Sequence, residues 1–394
     1  MLLFSDSFDH YSTAHLFRKW TVPVNTVSLS GLHEPSANQN SILPIGRCNS
    51  NGLRVIQTDA FTNIACGPHL TLAPATTSGV VGFAFKVNSF NGVHDLLRIM
   101  SNNTIEWEGA QITLQVLQNG RIQIYRGAYN FVKVVAFGGG PSSANALAPR
   151  TSSDILATST VAVQQGSFYF CELVFTIGGA GSVQCFLNGD SICSASGVDT
   201  DYTNTGTWDG IQLGKVQEFT NPSLNATNYL DFDDLYVIDT SGARNNSRLG
   251  DVKVEALFAQ TDAVAPGATL QWTPVSGSDH GAMVDEVTPD DDTTYNSATT
   301  VGFIDTYNYP SLAIGTGTIK AVTVLPCATK DDSTTKKIAT VVRHGGTNYA
   351  ASGQSVSTSS YRYHPQIYET NPGTSTDWTV ADINAAEFGV KVDT

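Results

Sequence analysis

The chain has 394 residues and a formal net charge of −14 at pH 7, from 21 Lys+Arg against 35 Asp+Glu. Charged residues make up only 14%, against ~25% in an average soluble domain, which excludes a charge-rich coiled coil and a charged disordered chain. An acidic chain lacks the clustered cations that displace counterions from a phosphate backbone, so nucleic acid is not an expected partner.

Domains run at ~100–200 residues, so the length predicts two. The opening Met1-Leu2-Leu3-Phe4-Ser5-Asp6 carries an apolar run that stops at Phe4, shorter than the ~7–15 residues of a signal peptide. No stretch approaches the ~18 apolar residues of a membrane helix. Synthesis and folding in a cytoplasm, without membrane insertion, is the expectation.

Period-2 alternation runs along the chain and predicts strands. Phe83, Phe85 and Val87 alternate with Gly82, Ala84 and Lys86. Ile112, Leu114 and Val116 alternate with Gln111, Thr113 and Gln115. Asn119-Gly120 then predicts a type I′ hairpin turn into Ile122 and Ile124. Residues 168–177 are apolar on both faces, which predicts a central strand or one with a covered outer face. A two-residue turn at Asn188-Gly189 follows. Its register sets Cys185 opposite Ile192 and Cys193 opposite Gln184, so the two thiols are expected on opposite faces and unpaired. No Cys/His spacing suits zinc, and all six cysteines are expected to be reduced.

Leu235–Ile238 reads as a closing strand. The polar, aperiodic 239–247 marks a boundary. The expected domains are 1–240 and 250–394, joined by a linker at 241–249. In the second, Val252-Lys253-Val254 and Val390-Lys391-Val392 share one alternation and are expected to be neighbouring strands, with the valines inward. Further strands are expected at 319–325, 338–343 and 361–368. Thr379-Val380-Ala381-Asp382 is a capping box, predicting one short helix near 380–388 that Gly389 ends.

The first half resembles a concanavalin A-like (laminin-G-like) jelly roll. The resemblance rests on Gly82–Val87, Phe168–Leu173, the hairpin Gly181–Gly189 and the closing Phe232-Asp233-Asp234-Leu235-Tyr236-Val237. The resulting fold class is all-β, with two β-sandwich (jelly-roll) domains in tandem. The whole chain is similar to a group of tailed-bacteriophage and prophage structural proteins, through Asp6–Tyr11 with Lys19-Trp20, the run 233–252, Gln271–Pro274, Val284–Glu286, Asp290–Tyr295 and Ala385–Lys391. That resemblance implies a non-enzymatic virion component made in a host cytoplasm: a fibre, baseplate or capsid-attached appendage. It would assemble with itself, most simply as a trimer, and with other virion proteins. The alternative is a carbohydrate-binding adhesin that recognises a host surface glycan. A depolymerising glycosidase is the third reading.

No catalytic constellation stands out. Glu106 and Glu108 would share a strand face, but the third acid that glycosidases of this fold present is missing. There is no nucleophile elbow and no phosphate-binding glycine loop; Gly138-Gly139-Gly140 precedes a polar loop, not a helix. No cofactor is expected. The metal candidates are Asp290 and Asp292 in the 285–292 acidic run, and Asp231 and Asp233 before the closing strand. Calcium would want six to eight oxygens from them, and solvated turns are the simpler reading. Tyr125, Arg126 and Tyr129 are the candidates for stacking on a sugar ring, weighed against packing in the sandwich.

Overall fold

The computed structural model describes residues 1–21, 40–56, 64–90, 94–101, 109–127, 154–217, 228–263, 269–312 and 317–394. Among the described residues strands hold 47% and helices 6%, which meets the all-β expectation. The chain forms two units that are not contiguous in sequence. One gathers residues 20–240 with 250–252; the other gathers 1–19, 241–249 and 253–394. The opening residues, read from sequence as part of the first domain, thus group with the second unit. Backbone polarity gives the reason. The Met1 amine donates to the carbonyls of Ser241 (2.6 Å) and Asn245 (3.0 Å), and the Leu2 N–H donates to Glu369 Oε1 (2.6 Å). The second unit therefore begins with β1 (Leu2–Asp6) and the single turn α1 (Leu16–Lys19).

The first unit is a jelly-roll sandwich of two antiparallel sheets. Its strands are β2 (Asn40–Leu43), β3 (Gly52–Ile56), β4 (Ile64–Cys66), β5 (His69–Thr76), β6 (Ser78–Val87), β7 (His94–Met100), β8 (Ala110–Val116), β9 (Arg121–Arg126), β10 (Ile155–Ala162), β11 (Phe168–Thr176), β12 (Gly181–Leu187), β13 (Asp190–Val198), β14 (Trp208–Gln217) and β15 (Tyr229–Asp239). One sheet runs β13-β12-β11-β6-β15-β3-β2; the other runs β10-β9-β8-β7-β14-β4, with β5 also on β14. Alternation places Phe83, Phe85, Leu173, Phe175, Phe232, Leu97, Ile112, Leu114 and Ile211 between the sheets, each at most 1% exposed. Phe175 meets the edge of Trp208 at 5.1 Å. Burying one such side chain contributes ~1.5–3 kcal/mol.

The strand at 168–177 is interior, as its two apolar faces require: β11 lies between β6 and β12. On its outer face Phe170 stacks on Tyr236 at 6.3 Å, and the Arg47 guanidinium lies 5.1 Å over Phe170. Tyr236 donates to Glu172 Oε1 at 2.5 Å, and the Gly250 N–H donates to the same oxygen at 2.9 Å. Gly82 lies directly under the Tyr236 ring, where any β-carbon would collide with it.

The two hairpins differ from each other. Asn188 (φ 50°) and Gly189 (φ 93°) both take positive φ, as the two-residue loop requires. At Asn119-Gly120 only Gly120 does (φ 77°). Val116 pairs with Ile122, and the Leu117 N–H donates to Arg121 O, so this loop has three residues closed by a left-handed glycine. That corrects the type I′ expectation. The cysteine register is corrected as well. The turn pairs Leu187 with Asp190 and Phe186 with Ser191, but a bulge then skips Ile192 and sets Cys193 directly opposite Cys185. The two thiols share the inner face. Cys171 on β11 brings its Sγ to 3.5 Å from that of Cys185. The cysteines of this row are free thiols.

The second unit contains β16 (Thr261–Asp262), β17 (Thr273–Pro274), β18 (Asn296–Ser297), β19 (Ile304–Asn308), β20 (Val322–Val324), β21 (Cys327–Ala328), β22 (Lys337–His344), β23 (Thr347–Ala350), β24 (Gln354–Ser355), β25 (Arg362–Tyr363), β26 (Gln366–Tyr368) and β27 (Glu387–Val392). Its main sheet runs β16-β19-β27-β22-β23, with β24 also on β22. The ladder β20-β26 covers it: Val324 packs with Val342, Trp378, Ile383 and Phe388. Helix α2 (Val380–Ala385) carries the expected capping box. It stops earlier than expected, because β27 begins at Glu387, and Gly389 lies inside that strand against the Asp305 backbone instead of ending the helix. β27 pairs with β19 and β22. Residues 252–254 form no strand, so the expected pairing of first and last strands is corrected.

Candidate functional site

The sheet that contains β7, β8 and β14 has an unusual second face. Register aligns His69, Gln212, Arg98, Thr113 and Tyr125 in one row across β5, β14, β7, β8 and β9. A parallel row sets Asp95 beside Gln115 and Gln115 beside Gln123. A bulge between Asp95 and Leu97 lets Asp95 and Arg98 share this face. These side chains are polar yet buried: Arg98 is 2% exposed, Gln212 1% and Thr113 0%. Arg98 donates to Asp95 Oδ2 through Nη2 (2.6 Å) and Nε (2.9 Å), and to Gln212 Oε1 at 3.2 Å. Pairing of this kind is what makes a buried charge tolerable. His69 is pushed down to about 4 by burial, so it stays neutral at pH 7, and its Nδ1 has no partner.

The row reaches the surface at its β9 end. Tyr125 and Arg126 are half-buried, and as neighbours on a strand they point to opposite faces. Beside them runs the loop from β13 to β14, held by Gln111. Its Nε2 donates to Asp201 Oδ1 (2.9 Å), Thr205 Oγ1 (3.0 Å) and Thr207 O (2.9 Å), and its Oε1 accepts the Thr203 N–H (3.0 Å). The Asp201 carboxylate also accepts the N–H groups of Thr205 (3.1 Å) and Gly206 (2.9 Å). This lattice presents Tyr202, 37% exposed, at the rim. The Arg126 guanidinium lies 5.6 Å from the centre of the Tyr202 ring and pairs with Asp199 at 2.6 Å. A partly exposed tyrosine ring beside a guanidinium–carboxylate pair can offer its exposed part to a sugar ring while the pair hydrogen-bonds the sugar hydroxyls.

The other sequence candidates are occupied. Asp231 binds Arg54 (2.7 Å) and Lys86 (3.0 Å). Asp233 accepts from Arg47 N (2.7 Å) and Ser50 Oγ (2.8 Å), and burial with Asp234 beside it pushes it up to about 7. Asp290 takes the Thr294 N–H (3.1 Å) and hydroxyl (2.9 Å), and Asp292 takes the Tyr361 hydroxyl (2.8 Å). Among the described residues no group of three His, Cys, Asp or Glu is arranged to hold a metal. Glu106, Glu108, Tyr129 and Gly138–Gly140 lie outside the described residues. Sequence reasoning singled out Tyr125 and Arg126 and did not single out Tyr202, Asp199 or Gln111. The Gln111-x-Thr113-x-Gln115 alternation opposite three aliphatics was the available signal for a polar face.

No family model matches the chain, and no curated protein matches it. Among solved structures it is similar to a marine PL-14 alginate lyase from Aplysia kurodai (11% identity, 51% of this chain and 87% of that one, TM-score 0.38). It is also similar to the cellulose-induced protein Cip1 (16%, 63% and 100%, TM-score 0.39) and to SCLam, a non-specific endo-β-1,3(4)-glucanase from family GH16 (9%, 60% and 90%, TM-score 0.38). These comparisons correct the expectation of a tailed-phage virion component. The structures are an alginate lyase, a glucanase and a cellulose-induced protein, none of them a virion component. At such identities the likeness carries over neither an activity nor a substrate.

Proposed function

We propose that this chain is a carbohydrate-binding protein, acting without catalysis, that seats a sugar ring on Tyr202 at the rim of its jelly-roll unit. One observation carries the reading: Tyr202 is exposed, yet its position is fixed by the Gln111 hydrogen bonds beneath its loop and by the Arg126–Asp199 pair beside its ring. A preformed aromatic platform loses little freedom on binding, which is where weak sugar contacts gain affinity. A glycan array probed with the protein and with Tyr202→Ala tests it. Binding by the parent with at least ten-fold loss in the variant supports the reading; equal signal from both sinks it. Release of reducing ends or unsaturated uronate from any bound polymer would overturn the non-catalytic part.

A further inference from the structure

We infer that the glycan seated at Tyr202 is uncharged, a neutral hexose or N-acetylhexosamine chain and not a polyuronate; this rests on the glycan-binding reading of the rim. Among the described residues the rim holds one guanidinium, Arg126, and two carboxylates, Asp199 and Asp201. Arg126 is committed to Asp199 at 2.6 Å, and its Nη2 also reaches the Asp201 carbonyl at 3.5 Å. The Asp201 carboxylate is held by Gln111, Thr205 and Gly206, all neutral donors that fix its charge without cancelling it.

These three groups sum to one negative charge, on a chain whose net charge is −14. A uronate carboxylate arriving at Tyr202 would meet repulsion from Asp199 and Asp201, and could recruit Arg126 only by breaking its existing pair. A neutral ring meets no such cost. Its apolar C–H face covers the tyrosine, and its hydroxyls can donate to Asp199, whose side chain is 47% exposed. Attraction between neutral partners is not screened, so binding should not depend on salt.

The test is isothermal titration of the full chain with neutral β-glucan and N-acetylglucosamine oligosaccharides, and with oligoalginate and oligoglucuronate, at roughly 50 and 500 mM salt. The expected result is binding of a neutral oligosaccharide, with affinity constant within two-fold across salt and uronates at least ten-fold weaker. Uronates bound as tightly as neutral sugars, or affinity that falls with salt, would overturn the inference while leaving glycan binding intact. No binding of any sugar overturns the Tyr202 platform itself. A second variant tests the charge argument directly. Asp199→Asn releases Arg126 and should raise uronate affinity about ten-fold; unchanged uronate affinity in a variant that still binds the neutral sugar counts against it.

Discussion

The ring of Tyr202 rests on Gly127: a β-carbon at position 127 would lie 2.7 Å from Tyr202 Cδ2 and 2.9 Å from Cε2. Gly127 also has φ 77°, a conformation that L side chains rarely adopt. Its N–H donates to Gln111 O (2.7 Å), and its carbonyl accepts from Thr113 Oγ1 (2.7 Å). A residue without a side chain thus sets the height of the aromatic platform.

Gly127→Ala is therefore expected to displace Tyr202. Glycan affinity should fall at least ten-fold, with stability lowered by about 1–2 kcal/mol for the strained backbone. Titration calorimetry and urea denaturation measure the two effects separately. Retained affinity would show that the ring position is unimportant.

Gly82→Ala probes the sandwich itself. The added methyl would meet the Tyr236 ring and break the Tyr236–Glu172 hydrogen bond, leaving a carboxylate that is 1% exposed short of a donor. A loss of about 3 kcal/mol or more is expected, followed through the fluorescence of buried Trp208. A loss under about 1 kcal/mol would contradict the close approach.

The first unit should lose stability in mild acid. Burial pushes His69 and His94 down to about 4, while in the unfolded chain they titrate near ~6.5. Between those values the unfolded chain binds more protons, so this contribution is complete above about 6.5 and is lost as the pH falls towards 4. Asp233 acts in the opposite sense. Raised to about 7, it stabilises fully below the ordinary carboxylate value and loses that contribution as the pH rises through 7. Two imidazoles against one carboxyl leave a net loss on the order of 1–2 kcal/mol at pH 5 relative to pH 7. His69→Gln should reduce it. Urea midpoints at the two pH values check this, and greater stability at pH 5 would refute it.

The thiol row should be inert in the native state. Hydrogen bonding to Cys171 together with burial raises Cys185, and hydrogen bonding to Cys185 together with burial raises Cys193. Cys48 is exposed. With Ellman's reagent at pH 8, Cys48 should react first, and all six thiols only after denaturation. Fewer than six would reveal a disulfide.

Thr379→Ala should cost the second unit about 1 kcal/mol, because Thr379 Oγ1 accepts the Asp382 N–H (3.1 Å) and Asp382 Oδ2 accepts the Thr379 N–H (2.9 Å). The first unit's transition should be unmoved. A shift in both would mean that the units unfold as one.

What could be read from the sequence by itself was local and periodic. Alternation gave the strands through Phe83, Ile112 and Phe170, because a side chain's face on a strand follows from its parity alone. The Asn188-Gly189 turn and the Thr379 capping box were legible for the same reason: each is closed by groups within four residues. Features that depend on a distant partner were not legible. The bulge at Ile192 reversed the expected relation of Cys185 and Cys193, since a single skipped residue flips every later side chain. Residues 1–19 joined the second unit through partners more than two hundred residues away. Gly127 supports Tyr202, and Gln111 fixes the loop that carries it, across about ninety residues of chain. Arg126 carried a sequence signal because it lies beside an aromatic, but its partner Asp199 did not. Only the sandwich's register decides which strand end meets which loop, and that register is set by burying the apolar face, not by any pattern near the residues that form the site.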